Sequence, residues 1–409
     1  MIVSEGVGAI PTVGQLSHAL RDNYRITLVG PDGKSGAIRL GADRGVNLFS
    51  SFGITRRLRN LRRTSPSAVA FVGRSRPSKP TGDWFWYLIK IITSTIPAFV
   101  KILFERPPAL IVCVDAWYLP ITRTAAAIWG RPYAYAMIEI HPEQDNTASA
   151  LKKKIMKWVE SWGVAASAGV IVPDETWARL LRTRYGLPNL RSFLIVTCPG
   201  IPHNRCAISS ATTSEPLKVY YHGMFSPNRG LECVIIAMKY TQNAILSMRG
   251  SGLSENHLKD LIQKEGLKDK VVFLPPVPRE ELTASAIGQE VGVTAFDGSL
   301  ANGRFGIGFK TFEYMAAGLA LLVPPSRVLR PLIRRTQAGL LYNFGDAQSL
   351  AKAINRFASD RQLLVACADS SRRWADSTYN ESVQAVIIRV SVKQMIADGC
   401  SHSSGKRQF

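Results

Sequence analysis

Short apolar runs without polar alternation recur along the second half of the chain, and they constrain its fold more than any other feature. Residues 219–222, 244–248, 271–274, 291–296 and 319–323 are such runs. Each is separated from the next by residues at helical spacing, such as Leu231, Ile235 and Met238. A strand that is apolar on both faces must be covered on both, the environment of a parallel sheet flanked by helices. The first half repeats the pattern less clearly, with strand-like runs at 24–29, 110–114, 133–138, 170–172 and 193–196 and helical patterns at 150–166 and 176–185. At 409 residues the chain is too long for one ordinary core. The expected fold is therefore α/β: two doubly wound Rossmann-like domains facing a cleft. They are expected over 1–204 and 217–390, with a Ser/Thr/Pro-rich linker at 205–216 and an aperiodic, mobile tail at 391–409. Ligands of such sheets bind outside the carboxyl ends of the strands.

Charge narrows the choice of ligand. The net charge is +21, and residues 1–200 hold 26 Lys+Arg against 13 Asp+Glu, a net of +13. Such a field draws in anions. A nucleic-acid partner is disfavoured, because the basic run at 56–63 lacks interleaved aromatics and no helix-turn-helix, zinc or RNA-recognition signature is present. The six cysteines are scattered without a C-x-x-C, which argues against a zinc site or a disulfide framework and suits a reducing compartment. The first residues carry no basic, apolar leader, so a cytosolic chain is expected. Residues 84–104, WFWYLIKIITSTIPAFVKILF, approach the length of a membrane span, but Lys90, Lys101 and Pro97 interrupt them. A buried helix and a helix lying in the membrane interface both remain open, the second favoured by the neighbouring basic run.

The candidate chemistry lies in three loops of the second half. Lys310 and Glu313 stand three apart at a helix start, so they project from one face. A helix N-terminus already favours anions; Lys310 adds a phosphate ligand, and Glu313 can accept hydrogen bonds from a diol such as a ribose. Alone, such a pair is ordinarily a solvent-facing ion pair. A second loop runs from Gly223 to Gly230. Ser226 as N-cap and Pro227 as first helical residue are expected to place Arg229 in the first helical turn. A cation there opposes the helix dipole and wants an anionic ligand as compensation. The third loop, Arg249-Gly250-Ser251-Gly252, is expected to let backbone approach a ligand closely.

With these motifs in order, the chain resembles the retaining GT-B glycosyltransferases of family 4 (glycosyl transferases group 1). The resemblance rests on Tyr221-His222-Gly223 followed by Ser226-Pro227-Asn228-Arg229-Gly230-Leu231-Glu232, on Phe273-Leu274-Pro275-Pro276-Val277-Pro278, on Lys310 through Gly318, and on Gly339 through Asp346. It is looser in the first half, at 109–115, 133–144 and 169–185. The resemblance implies a nucleotide-sugar donor, with Arg229 and Lys310 on the diphosphate, Glu313 on the ribose, and Gly223, Gly250, Pro275 and Pro276 lining the nucleotide. The first domain would bind a saccharide or lipid-linked acceptor, and Glu139 or His141 would contact the reacting sugar as candidate catalytic residues. No metal and no other cofactor is implied. A place at the inner face of the plasma membrane, in bacterial surface polysaccharide synthesis, fits the basic first half.

The chain also departs from that pattern. Many members carry a second glutamate eight residues before the position of Glu313, where this chain has Phe305, and an arginine where it has Met224. A non-catalytic module of the same fold, docking at membranes, therefore stays open beside the enzyme. An epimerase or phosphorylase lacks its expected anchors.

Overall fold

The computed structural model describes residues 2–4, 11–30, 46–50, 99–100, 103–104, 107–114, 116–140, 149–205, 207–208, 215–227 and 229–404. The chain forms two compact units, one made of Met1–Ile195 with Ala385–Phe409 and the other of Val196–Gln384.

In the first unit, β1 (Ile2–Ser4), α1 (Pro11–Leu20), β2 (Ile26–Gly30), β3 (Val46–Ser50), β4 (Ile111–Val114), α2 (Leu119–Trp129), β5 (Tyr133–Ala136), α3 (Ala150–Ala165), β6 (Gly169–Val172), α4 (Glu175–Tyr185) and β7 (Ser192–Leu194) follow one another. Their strands form a parallel sheet in the order β3-β2-β1-β4-β5-β6-β7. β4, β5 and β6 are buried at every residue, as strands covered on both faces must be. Ser149 caps α3 by accepting the Lys152 N–H, and Asp174 caps α4 through the Thr176 N–H at 2.6 Å. Gly130 and Gly186, in the left-handed region, end α2 and α4.

The second unit runs β8 (Leu217–His222), α5 (Leu231–Ala237), β9 (Ala244–Arg249), α6 (Glu255–Lys264), β10 (Val271–Leu274), β11 (Val291–Val293), α7 (Ala301–Phe305), α8 (Phe309–Ala317), β12 (Ala320–Val323), α9 (Leu329–Thr336), β13 (Gly339–Leu341), α10 (Ala347–Ser359) and α11 (Arg361–Ser377). Its parallel sheet has the order β10-β9-β8-β11-β12-β13. Neighbouring residues of one strand feed two different cores. Val219, Tyr221 and Leu322 pack with Leu231, Leu258 and Ile354 on one face. Tyr220, Leu321 and Val323 pack with Phe312, Leu329 and Leu332 on the other. The expected doubly wound α/β architecture is thus present in each unit, and β1, β3 and β13 add to the strands read from the sequence.

The boundaries differ from the expected ones. Residues 391–404 are not a loose tail, while 405–409 lie outside the described residues: α12 (Glu381–Ser404) is a long helix, and from Ala385 onward it belongs to the first unit. Ala385, Ile388, Val392 and Met395 recur at helical spacing and are buried with Val13 and Leu16 of α1. The Arg389 guanidinium donates to the Ala19 carbonyl, and Arg191 pairs with Asp398. The stripe is hard to read in the sequence because Val386 and Val390, on the outer side of the same helix, are apolar yet 53% and 60% exposed. Of the expected linker, residues 206 and 209–214 lie outside the described residues, and its described parts belong to the second unit. The basic run 56–63 lies outside the described residues, as does the aromatic stretch 84–104 except for 99–100 and 103–104. Among the described residues no helix is long and apolar enough to cross a membrane.

If α12 is part of the first core, Ile388→Ala should lower the unfolding free energy by about 2–5 kcal/mol in denaturant titration. Val390→Ala, on the exposed side, should change it by less than about 0.5 kcal/mol. Equal small effects would contradict the docking of this helix.

Candidate functional site

In the second unit the strand order reverses between β8 and β11, so the loops leaving their carboxyl ends diverge and open a crevice. α8 starts beside it. Gly308, at φ 64°, turns the chain into the helix, and Lys310 stands in the first turn. One turn further, Tyr314 locks α8 to the sheet: its hydroxyl accepts the His222 N–H at 3.0 Å and donates to the Val293 carbonyl at 3.3 Å. The ring fits because β11 has Gly292, where a Cβ would lie 2.4 Å from it. This lock brings Lys310 and Glu313 to the end of β8.

Lys310 is half-buried, with Nζ 4.0 Å from the centroid of the Tyr221 ring. A Cβ on Gly223 would lie 3.2 Å from the same ammonium, so the loop after β8 passes directly over it. Burial, and after it the Arg229 charge, bring the lysine down to a pKa of about 7, with Glu313 acting in the opposite sense. An ammonium so placed has lost part of its water without gaining a full counter-charge. It is suited to an anion that arrives with the ligand.

Glu313 is buried, one turn from Lys310. One carboxylate oxygen accepts from His222 Nε2 at 2.7 Å, and the other lies 3.4 Å from the Arg279 guanidinium. Burial alone would raise its pKa. The His222 hydrogen bond and the positive charges of Arg279 and Lys310 outweigh that, so the net shift is downward and Glu313 is an anion. His222 is held below its ordinary value, first by burial and against the pull of Glu313. The pair is therefore a neutral imidazole donating to a carboxylate.

Three loops are stitched together at this edge. The Gly223 N–H donates to the Arg249 carbonyl and the Phe225 N–H to the Ser251 carbonyl, both at 2.9 Å. A Cβ on Gly250 would lie 2.0 Å from the Gly223 carbonyl oxygen, and one on Gly252 2.2 Å from that of Phe225. These glycines thus admit the neighbouring loop's backbone. Arg249 ties in the third loop by donating to the Pro275 carbonyl at 2.8 Å and to the Tyr220 hydroxyl at 3.1 Å. Pro275 and Pro276 are exposed on it.

Arg229 stands differently from expectation. α5 starts at Leu231 with Gly230 as its N-cap at φ 69°, so neither Ser226 nor Pro227 begins the helix. Arg229 precedes that helix in an exposed turn, its Nε 3.4 Å from Ser226 Oγ. Gly230 is placed there because a side chain would meet the Phe296 carbonyl at 3.1 Å. Beside this turn lies a cavity of about 540 Å³, lined by Pro227, Gly230, Glu232, Asp297, Ser299 and Phe344 among others.

The structure thus brings Gly223, Lys310 and Glu313 to one end of β8, with the charge of Arg229 felt at Lys310. Glu139 is exposed beyond β5 in the first unit, and His141 lies outside the described residues. Phe305 closes α7 with the Arg327 guanidinium 5.1 Å above its ring, and Met224 is 63% exposed. Sequence reasoning missed His222 and Arg279. A histidine ending an otherwise apolar strand was a usable signal for the first; nothing in the sequence marks the second.

Residues 7–195 match the model of a glycosyl transferase 4-like domain, and residues 208–374 that of the glycosyl transferases group 1. No curated relative matches the chain. Among solved structures, it is similar to sucrose-phosphate synthase from Thermosynechococcus elongatus, with a TM-score of 0.74 at 17% identity over 97% of this chain and 98% of that one. It is also similar to HepE of Anabaena, solved in complex with UDP, with a TM-score of 0.64 at 16% identity over 98% and 99%. A third is WaaG, a glycosyltransferase involved in lipopolysaccharide biosynthesis, with a TM-score of 0.60 at 12% identity over 95% and 99%. With both halves matched by glycosyltransferase models and each unit folded as a doubly wound sheet, the chain belongs to the family 4, group 1 glycosyltransferases of GT-B fold.

Proposed function

We propose that this enzyme moves a sugar from a nucleoside-diphosphate sugar to a saccharide or lipid-linked acceptor, with retention of anomeric configuration, in building a bacterial surface polysaccharide. One observation carries the donor half of this reading: the Lys310 ammonium, withdrawn from water at the end of β8 with only part of its charge answered. A diphosphate would complete it. In the reaction the bond from the anomeric carbon to the diphosphate breaks, and negative charge grows on the departing oxygen. Lys310, charged once the diphosphate is seated, and Arg229 would stabilise that charge without reorganising. Glu313 would hold the ribose, and Gly223, Gly250, Pro275 and Pro276 would line the nucleotide. Glu139 and His141 would act on the acceptor side. No metal is needed for this scheme. UDP, held by HepE, is the first nucleotide to test.

The acceptor half rests on charge and on α3. Leu151 and Trp158 of that helix are 64% and 65% exposed, and Lys152, Lys153, Lys154 and Lys157 share it. Aromatic and aliphatic groups beside clustered lysines suit the head-group region of an anionic membrane. This supports a peripheral position at the cytoplasmic membrane face, next to a lipid-linked acceptor.

Two measurements test the reading. Lys310→Ala and Arg229→Ala should each weaken UDP binding roughly ten- to hundredfold in calorimetric titration, the range for a lost charge-assisted hydrogen bond. Release of free nucleoside diphosphate from the donor should fall with it. Wild-type binding by both variants would remove the assignment, whereas UDP binding without turnover of any donor would mark a non-catalytic module. In co-sedimentation, the wild type should pellet with phosphatidylglycerol vesicles and not with phosphatidylcholine vesicles. The Leu151→Glu, Trp158→Glu double variant should stay in solution, and its unchanged pelleting would exclude α3 as the membrane contact.

A further inference from the structure

We propose that His222 is a positioning residue for the donor: it holds the Glu313 carboxylate in the one orientation that accepts the ribose diol. The inference deepens the donor reading above and rests on it.

Three observations carry it. The hydrogen bond from His222 Nε2 to Glu313 Oε2 is 2.7 Å long and joins side chains that are 2% and 8% exposed, so water does not compete for it. The imidazole cannot turn away. Its ring stands 4.8 Å from the Tyr314 ring and 5.5 Å from the edge-on Tyr220 ring, while its backbone N–H is held by the Tyr314 hydroxyl. A carboxylate only accepts, so Nε2 carries the proton, which leaves Nδ1 as a bare acceptor. That Nδ1 is buried without a partner.

The orphaned nitrogen is the telling detail. A buried polar atom without a partner costs stability, and an apolar side chain in this aromatic cage would avoid the cost. A purely structural residue needs no imidazole here; one that must deliver a single N–H to a carboxylate does. Arg279 reaches the other oxygen at 3.4 Å, is 42% exposed, and stands 5.9 Å from the Phe309 ring. Glu313 is thus fixed from the inside by His222 and met from the solvent side by a more exposed cation. Each oxygen keeps a lone pair, one for each hydroxyl of a cis-diol. Lys310 completes the charged groups around the pair.

The test compares UDP with 2′-deoxy-UDP by calorimetric titration. The wild type should prefer UDP by at least about tenfold, the order expected for one hydrogen bond to a charged group. His222→Leu should bring that ratio close to one, by weakening UDP more than 2′-deoxy-UDP, which has only the 3′-hydroxyl contact to lose; general loosening of the fold would weaken both alike and keep the ratio. His222→Gln, whose amide can place an N–H near the Nε2 position, should restore most of the preference. Should His222→Leu fail to fold, His222→Asn, whose amide stops short of Glu313, carries the same expectation. A wild-type ratio in the folded leucine or asparagine variant would overturn the role of His222. If Glu313→Gln also keeps the full ratio, or the wild type does not bind UDP, the ribose assignment itself falls, and the inference with it. Loss of the ratio in Glu313→Gln but not in the His222 variants would overturn the inference alone.

Discussion

A lysine ammonium held over an aromatic ring, with too little opposite charge around it, is the interaction on which the second unit's site depends. Lys310 has exchanged part of its water for the face of Tyr221 and the underside of the Gly223 loop. A neighbouring arginine makes the proton harder to hold, and Glu313 offsets only part of the deficit. In the ligand-free protein the ammonium therefore gives up its proton near pH 7, far below the usual range of a lysine. A diphosphate changes that by supplying the missing charge. Glu313 stays available for a different task because His222 and Arg279, rather than Lys310, are its hydrogen-bonding partners. Two acid–base groups one helical turn apart can thus serve neighbouring parts of one ligand.

The fold makes this arrangement possible through where it spends its glycines. Gly292 gives Tyr314 room to reach both β8 and β11, which sets the position of α8. Gly250 and Gly252 let two loops touch backbone to backbone. The loops that meet the crevice are therefore braced by one another. Such bracing lowers the cost of ordering the site when a ligand binds, since little freedom remains to be lost. It also explains why a strand order that reverses at β8 and β11 yields a defined site rather than a floppy edge.

Much of this was legible in the sequence, for physical reasons. The strands β8 to β12 announce themselves because both faces of a parallel sheet are covered, so most of their residues are apolar. Lys310 and Glu313 are legible because helical spacing fixes their relation before any tertiary contact is known. Arg229 was misplaced because Ser226-Pro227 has the chemistry of a helix start, while the backbone turns only at Gly230. α12 was read as a tail because exposed valines blur the stripe that docks it. His222 and Glu313 are 91 residues apart, and only the pairing of β8 with α8 brings them together. Contacts of that range are set by topology, which local pattern does not record.

The proton count of nucleotide binding tests the central interaction most directly. Calorimetric titration of the wild type with UDP near pH 8, repeated in buffers of different ionisation enthalpy, reads the protons taken up per UDP bound. Because Lys310 titrates at about 7 in the free protein, most molecules have lost its proton at that pH, and a seated diphosphate should restore it. The expected result is an uptake close to one proton, disappearing in Lys310→Met and fading toward pH 6. Tight binding with no uptake, or with release, would contradict a lysine that waits unprotonated for the diphosphate.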